Sequence, residues 1–295
     1  MITLKNKKVA FVIPVYPDHY MYLDHFNNLK DDLDFDIYLI LSYKEDLDIL
    51  NSLNISKVYK TILLEEQFDR NFISSMIESR VIIHFKKLYA LNLLKEQYEY
   101  IAAVDAETQF VSTANVYEKF KSHCSEKKYF GSTMIGKRGE FFKDIMQKPS
   151  IFFEDRIDEL KSKTHDLTFY FWFSDIPIYD TSIAKDFLNF IEFENYEKFV
   201  DKISWWIFDY ILYGYYCILY KNYEIINLRD YGLKRNWSLE SIPVQTYFEV
   251  FNMVSFKPLW LIHDAYHENK NLLQDEEIIM TYHRNNGVPL DFLDD

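Results

Sequence analysis

Hydrophobic and polar positions alternate along the first part of the chain in blocks that predict strands and helices in turn. Continuous apolar runs predict buried strands at residues 8–16, 36–42, 57–64 and 100–108. Apolar residues spaced three or four apart predict helices at residues 21–33, 45–53 and 80–97. This order of elements predicts a mostly parallel sheet flanked by helices, with ligands bound at the carboxyl ends of its strands.

The pattern is looser after residue 115, and aromatic residues become more frequent there. Helices are predicted at residues 116–124, 154–161, 182–193 and 205–220. Strands are predicted at residues 169–179, 224–228 and 259–263. Neither an internal repeat nor a low-complexity linker interrupts the chain, so we expect a single domain over residues 1–295.

Composition and charge narrow the classes of function. Hydrophobic residues make up 48% of the chain, which is typical of a folded domain rather than a disordered one. The formal net charge of −13, without any basic run, disfavours nucleic acid as a partner. Tyr and Phe number 24 and 25, and tyrosines in a cleft would suit flat, hydroxylated ligands as well as they suit a core.

The cysteines and the apolar segments favour a cytoplasmic protein. Cys124 and Cys217 form neither a zinc motif nor a disulfide framework. The most apolar later stretch, residues 205–220, contains Asp209 and is shorter than the ~20 residues of a membrane span. We therefore expect no transmembrane segment, although peripheral contact with a membrane stays open.

Two carboxylates follow the fourth predicted strand. Asp105 and Glu107 are two residues apart, and in an extended chain positions i and i+2 point the same way. Two converging carboxylates suit Mg²⁺ or Mn²⁺, which would also take oxygens from a diphosphate. By spacing alone, an ordinary solvated turn explains the pair equally well.

The position of Val104-Asp105-Ala106-Glu107 resembles the acidic signature of glycosyltransferases of the GT-A fold. That signature, usually Asp-x-Asp, ends a strand after a nucleotide-binding half with this order of elements. The resemblance implies a GT-A-like, Rossmann-type α/β fold. It also implies a nucleotide-binding half at residues 1–110 and a helical, aromatic-rich acceptor-binding half at residues 111–295. Glu in the last place of the signature makes direct ligation by Glu107 less certain than by Asp105.

The same resemblance assigns donor-binding roles near the first strand. In these enzymes the loop after that strand meets the nucleoside base, which here implies Pro14 and Tyr16. Lys87, in the helix before the signature, would contact the diphosphate or the donor sugar. The alternative for Pro14 and Tyr16 is an ordinary exit from a strand, and the alternative for Lys87 is a solvated lysine on a helix.

Acids and a histidine follow in the family's order. The resemblance implies Asp209 as the first candidate for the general base and Asp175, in Trp172–Tyr179, as the second. His263 would be a further metal ligand, with His267 as the alternative. Lys257-Pro258 precedes His263, which reverses the order found in the glycogenin family and argues against membership in that family.

The sequence thus predicts a metal-dependent transferase of sugars, with Mn²⁺ or Mg²⁺ as the cofactor. The donor would be a nucleotide-sugar, by resemblance a UDP-sugar, and the acceptor a hydroxyl of a glycan or glycolipid. Two alternatives stay open: a nucleotidyltransferase that makes a nucleotide-sugar, and a non-catalytic α/β binding protein. The first is disfavoured because the loop after the first strand has no glycine to hold a triphosphate.

Overall fold

The computed structural model describes residues 7–30, 32–133, 136–171, 176–231, 249, 252–255, 259–262 and 278–282; for residues 136–141, 261, 262 and 282 it describes the backbone alone. The described residues form two compact units. The first comprises those of Met1–Cys124 and Pro177–Trp205, and the second those of Ser125–Ile176 and Trp206–Asp295. This division differs from the predicted halves at residues 1–110 and 111–295, because residues 111–124 and 177–205 also belong to the first unit.

A five-stranded, mostly parallel sheet forms the centre of the first unit. Its strands, numbered along the chain, are β1 (Val9–Pro14), β2 (Asp36–Leu41), β3 (Lys60–Leu63), β4 (Tyr100–Ala103) and β8 (Ile178–Asp180). Their order in the sheet is β3-β2-β1-β4-β8, and β8 runs antiparallel to β4. A short strand, β5 (Thr108–Phe110), follows β4. The predicted α/β class, with helices flanking a mostly parallel sheet, is confirmed.

Helices of the first unit are α1 (Lys44–Ser52), α2 (Arg70–Glu78), α3 (Ile82–Leu94), α4 (Val116–Glu126), α7 (Thr181–Phe190) and α8 (Tyr196–Lys202). Helix α4 ends two residues beyond the first segment of the unit. Helix α3 packs on β1, β2, β4 and α7, and apolar residues surround it, so it is buried on nearly every side. Its buried residues include two lysines, Lys86 and Lys87. Helix α2 was not predicted from the sequence.

Every side chain of β1 is buried, which explains its continuous apolar sequence. The ring of Phe11 packs edge-on against Phe35 and Phe110, with centroids 4.9 Å away in each case. This unit also has a long 3₁₀ segment, Pro17–Asn28, and a short 3₁₀ turn, Leu64–Glu66. The first replaces the α-helix predicted at residues 21–33; Pro17 begins it, and its apolar residues do not form a wide stripe.

The second unit contains a three-stranded sheet and a strand pair. The sheet has the order β7-β6-β9, with strands β6 (Lys128–Thr133), β7 (Phe169–Tyr170) and β9 (Glu224–Asn227). The pair is parallel, β10 (Trp260–Ile262) with β11 (Met280–Tyr282). Its helices are α5 (Gly136–Gln147), α6 (Ile157–Lys163) and α9 (Asp209–Tyr220), with 3₁₀ segments at Lys148–Arg156 and Leu228–Tyr231.

Aromatic packing dominates the second unit, as the sequence predicted for this part of the chain. Residues Asp209–Leu219 of α9 are all buried, and the Tyr215 hydroxyl donates a hydrogen bond to the Met146 carbonyl at 2.6 Å. Gly214 lets α9 approach Phe171, since a Cβ at Gly214 would lie 2.2 Å from that ring. Within the described part of the chain, helices are too short or too polar to cross a membrane.

Candidate functional site

The sheet of the first unit reverses its direction of growth between β1 and β4. The chain builds β2 and then β3 on one side of β1, whereas β4 pairs with the other side. At such a reversal the loops after the two strands separate and leave a crevice at their carboxyl ends. Residues after β1 and β4 are therefore the first place to look for a binding site.

Backbone contacts fix the exit of β1. Val15 continues the ladder beyond β1 by donating its N–H to the Ile40 carbonyl at 3.1 Å. Tyr16 follows, partly exposed, with an extended backbone before Pro17 begins the 3₁₀ segment. Pro14, a predicted donor-binding residue, is the last and buried residue of β1.

Two aromatic side chains meet in the loop after β1. The rings of Tyr16 and His19 are 5.4 Å apart and nearly perpendicular. Burial, and then the negative charge of Asp105, raise the pKa of the Tyr16 hydroxyl. Burial likewise lowers the pKa of His19, while Asp105 opposes this shift. Both side chains thus experience the charge of Asp105, which relates the loop after β1 to the residue after β4.

The chain turns sharply after β4. The strand ends at Ala103, and the Thr108 N–H donates to the Asp105 carbonyl at 3.0 Å, which closes a β-turn over residues 105–108. The strand predicted to extend to residue 108 is therefore too long, because this turn ends it. The turn, rather than the alternation of an extended strand, orients Asp105 and Glu107.

Lys87 and Asp105 form an ion pair at this edge. Nζ of Lys87 lies 2.8 Å from Oδ1 of Asp105; the lysine side chain is 2% exposed and the aspartate side chain 21%. Lys87 comes from α3, so the pair joins that helix to the turn after β4. The structure thus brings together Tyr16, Lys87 and Asp105, three of the predicted site residues.

Lys86 and Asp46 lie at the same edge and were not singled out from the sequence. Lys86 is fully buried, donates to the Val15 carbonyl at 2.8 Å, and lies 4.5 Å from the Tyr16 ring centroid. Asp46 accepts the N–H groups of Ser42 and Tyr43 and so caps α1 just after β2. The signal in the sequence was the lysine pair within an otherwise apolar helix, because a lysine is costly to bury without a partner.

The donor set of the turn fits a hard divalent cation. Asp105 and Glu107 supply carboxylates, and Mg²⁺ is commonly held by one or two carboxylates together with substrate phosphates. Among the residues that the structure describes, no three His, Cys, Asp or Glu side chains converge as a metal site. A cation here would therefore depend on the two carboxylates of the turn and on oxygens of a bound ligand.

The other predicted site residues belong elsewhere in the chain. Asp209 is in the second unit, where it is the first residue of α9 and is 1% exposed; the helix predicted at residues 205–220 therefore begins four residues later than predicted. Asp175 and His263 lie outside the described residues, as does His267. Their roles stay predictions.

Neither a protein-family model nor a curated protein matches the chain. Among solved structures, the chain is similar to the crystal structure of mouse xyloside xylosyltransferase 1 in its apo form. That similarity has a TM-score of 0.37 and 8% sequence identity, and it covers 75% of this chain and 84% of the other. Similarity at this level carries no conclusion about function.

Proposed function

We propose that this chain is a metal-dependent glycosyltransferase that uses a nucleotide-sugar donor. One observation carries the proposal: the sheet reverses between β1 and β4, and the loops at that reversal hold an aromatic ring, Tyr16, and a carboxylate, Asp105. A nucleoside base needs a flat surface to stack on. A diphosphate needs cations, and this edge provides the ammonium group of Lys87 and a carboxylate pair suited to a metal ion.

The residues of the edge divide into two sets by the part of the donor that each would bind. Tyr16, with Pro14 before it, would contact the base. Lys87 and the turn of Asp105 and Glu107 would lie at the diphosphate. Asp105 and Glu107 would hold Mn²⁺ or Mg²⁺, which when bound would offset the charge of the departing nucleoside diphosphate.

Lys87 supplies positive charge that the fold itself positions. Its ammonium is almost completely buried and is held against Asp105, so little side-chain freedom is lost when a ligand binds. A buried cation also acts more strongly on a phosphate than an exposed one, because water screens it less. UDP-sugar is the first donor to test, following the family resemblance.

The acceptor side is proposed from the sequence resemblance. Asp209 is the first candidate for the base that accepts the proton of the acceptor hydroxyl, and Asp175 is the second. His263 is the candidate for a further metal ligand. The acceptor would be a hydroxyl of a glycan or a glycolipid.

Calorimetric titration of UDP, with and without Mn²⁺, tests the proposal at the level of binding. We expect UDP to bind in the presence of Mn²⁺ and to bind more weakly when the metal is chelated. Binding of UDP without turnover of any UDP-sugar would favour a non-catalytic binding protein. Absence of binding to any nucleotide or nucleotide-sugar, with or without metal, would contradict the proposal.

A further inference from the structure

Two consecutive lysines of α3 reach opposite sides of the sheet reversal. Successive residues of an α-helix point about 100° apart around its axis, because there are 3.6 residues per turn. Lys86 contacts the residues that follow β1, whereas Lys87 contacts the residue that follows β4. The two charges therefore act on different parts of the edge.

Lys86 makes two contacts with adjoining residues after β1. Its Nζ donates to the carbonyl of Val15, and the same ammonium lies 4.5 Å from the centre of the Tyr16 ring. The carbonyl contact fixes the backbone just before Tyr16, and the cation–π contact fixes the ring itself. Together they restrict both the backbone and the side-chain rotation of Tyr16.

Stability does not explain a lysine at this position. The side chain is fully buried, and burial lowers the pKa of Lys86 to about 7, although the charge of Asp46 opposes this shift. Replacing buried charged groups by apolar residues of similar volume often leaves a protein as stable as before or makes it more stable. The lysine is therefore better explained by what it does to its neighbours than by the energy of burying it.

We propose that Lys86 is a positioning residue for the donor nucleoside: it holds the Tyr16 ring in the orientation in which a base stacks on it. The inference rests on the proposed function and adds a division of labour within the lysine pair. Lys86 serves base binding through Tyr16, and Lys87 serves the diphosphate. A ring that is already ordered costs the ligand less free energy on binding than one that must be immobilised.

The test compares three probes that carry different parts of the donor: UDP, uridine and inorganic pyrophosphate. Affinities are measured with Mn²⁺ by calorimetry, or by ligand-observed NMR for uridine, on the parent and on Lys86→Met, Lys87→Met and Lys95→Met. Lys95 is the matched control because it directly follows α3 and contacts Asn92 instead of the crevice. Thermal unfolding of every variant is recorded alongside.

Because Lys86→Met releases the ring on which the base would stack, we expect it to weaken UDP and uridine by about tenfold and to leave pyrophosphate within about twofold. Lys87→Met should weaken UDP and pyrophosphate and spare uridine. Lys95→Met should change none of the three. If Lys86→Met does not fold, Lys86→Gln takes its place, since it retains an N–H for the Val15 carbonyl and should still weaken uridine.

Two results would overturn this inference and leave the proposed function standing: unchanged UDP and uridine affinity in Lys86→Met, or an equal loss of affinity for all three probes. The second result would mean that Lys86 supports the whole edge and not the base platform. A parent protein that binds none of the three probes would overturn the proposed function, and this inference with it.

Discussion

Nζ of Lys87 lies 2.8 Å from Oδ1 of Asp105, and through this ion pair helix α3 holds the turn that follows β4. The lysine is buried and the aspartate is partly exposed, so the pair is screened by water on one side only. It lies where the sheet reverses, which is where α/β sheets bind their ligands.

The ion pair should contribute to stability as well as to the site. We expect Lys87→Met and Asp105→Asn each to lower the free energy of unfolding, and the double variant to lose less than the sum of the two. The coupling should be about 1 kcal/mol, within the range for residues in contact. Urea denaturation of the four proteins measures it, and strictly additive losses would show that the contact contributes nothing.

Lys86 should make stability depend on pH in a predictable direction. Its pKa is about 7 in the folded protein, whereas that of an unfolded lysine is about 10.4. The cost of burying its charge is therefore fully present below pH ~7 and is relieved as the pH rises from there towards ~10. Lys86→Met removes this cost.

Denaturation of the parent and Lys86→Met from pH 6 to pH 9 tests this prediction. The advantage of the variant in free energy of unfolding should be largest at pH 6 and should shrink as the pH rises. Because other groups titrate in both proteins, the difference isolates Lys86. A difference that stays constant across this range would contradict the depressed pKa.

A charged network lies at the opposite, amino-terminal edge of the sheet. A substitution there should change the stability of the protein without changing its affinity for UDP. Asp36 accepts hydrogen bonds from Lys7, Lys60 and Tyr98. Burial alone would raise the pKa of Asp36, but the hydrogen bonds from Lys60, Tyr98 and Lys7 bring it below its usual value. The carboxylate thus contributes stability above pH ~4, which is lost as the pH falls through its lowered folded pKa.

Asp36→Asn should therefore cost about 1.5–3 kcal/mol at pH 7, the usual range for hydrogen bonds to a charged group. The cost should shrink below pH ~4. UDP affinity should equal that of the parent, because β1 and β2 separate Asp36 from the carboxyl edge. A large loss of UDP affinity in a folded Asp36→Asn protein would mean that the binding site is not confined to that edge.

Gly214 should be required by close packing in the second unit. A Cβ at this position would lie 2.2 Å from Cζ of Phe171. Alanine favours an α-helix over glycine by about 1 kcal/mol, but overpacking a core typically costs about 1–3 kcal/mol, so the clash should prevail. We expect Gly214→Ala to lower the thermal midpoint, and Phe171→Leu in the same chain to recover part of the loss. A midpoint at or above that of the parent would contradict this packing.

The sheet could be predicted from the sequence, whereas the contacts among the candidate site residues could not. Buried parallel strands such as β1 are continuous apolar runs, and such runs are visible without any tertiary information. The α3 helix could be predicted from its apolar residues spaced three or four apart. The 3₁₀ conformation of Pro17–Asn28 could not, because apolar spacing does not distinguish it from an α-helix over so few turns.

Contacts between distant segments explain what the sequence could not provide. Asp105 and Tyr16 were predicted from their places after strands, which depend only on local order. The role of Lys86 depends on which way α3 faces and on its contact with a residue 71 positions earlier in the chain. The turn after Ala103 is a different case: it depends on a local backbone hydrogen bond, from Thr108 to Asp105, which the apolar pattern does not predict.

Release of UDP from a panel of UDP-sugars with Mn²⁺, by the parent and by Asp105→Ala, tests the central claim most directly. Asp34→Ala is the matched control, because Asp34 is an exposed aspartate of the same unit. We expect the parent and Asp34→Ala to release UDP from at least one donor, and Asp105→Ala to lose more than about 100-fold of that rate while remaining folded, as for other groups that stabilise charge in a transition state. Turnover by Asp105→Ala at the parent's rate would contradict the assignment of Asp105 and of the edge around it.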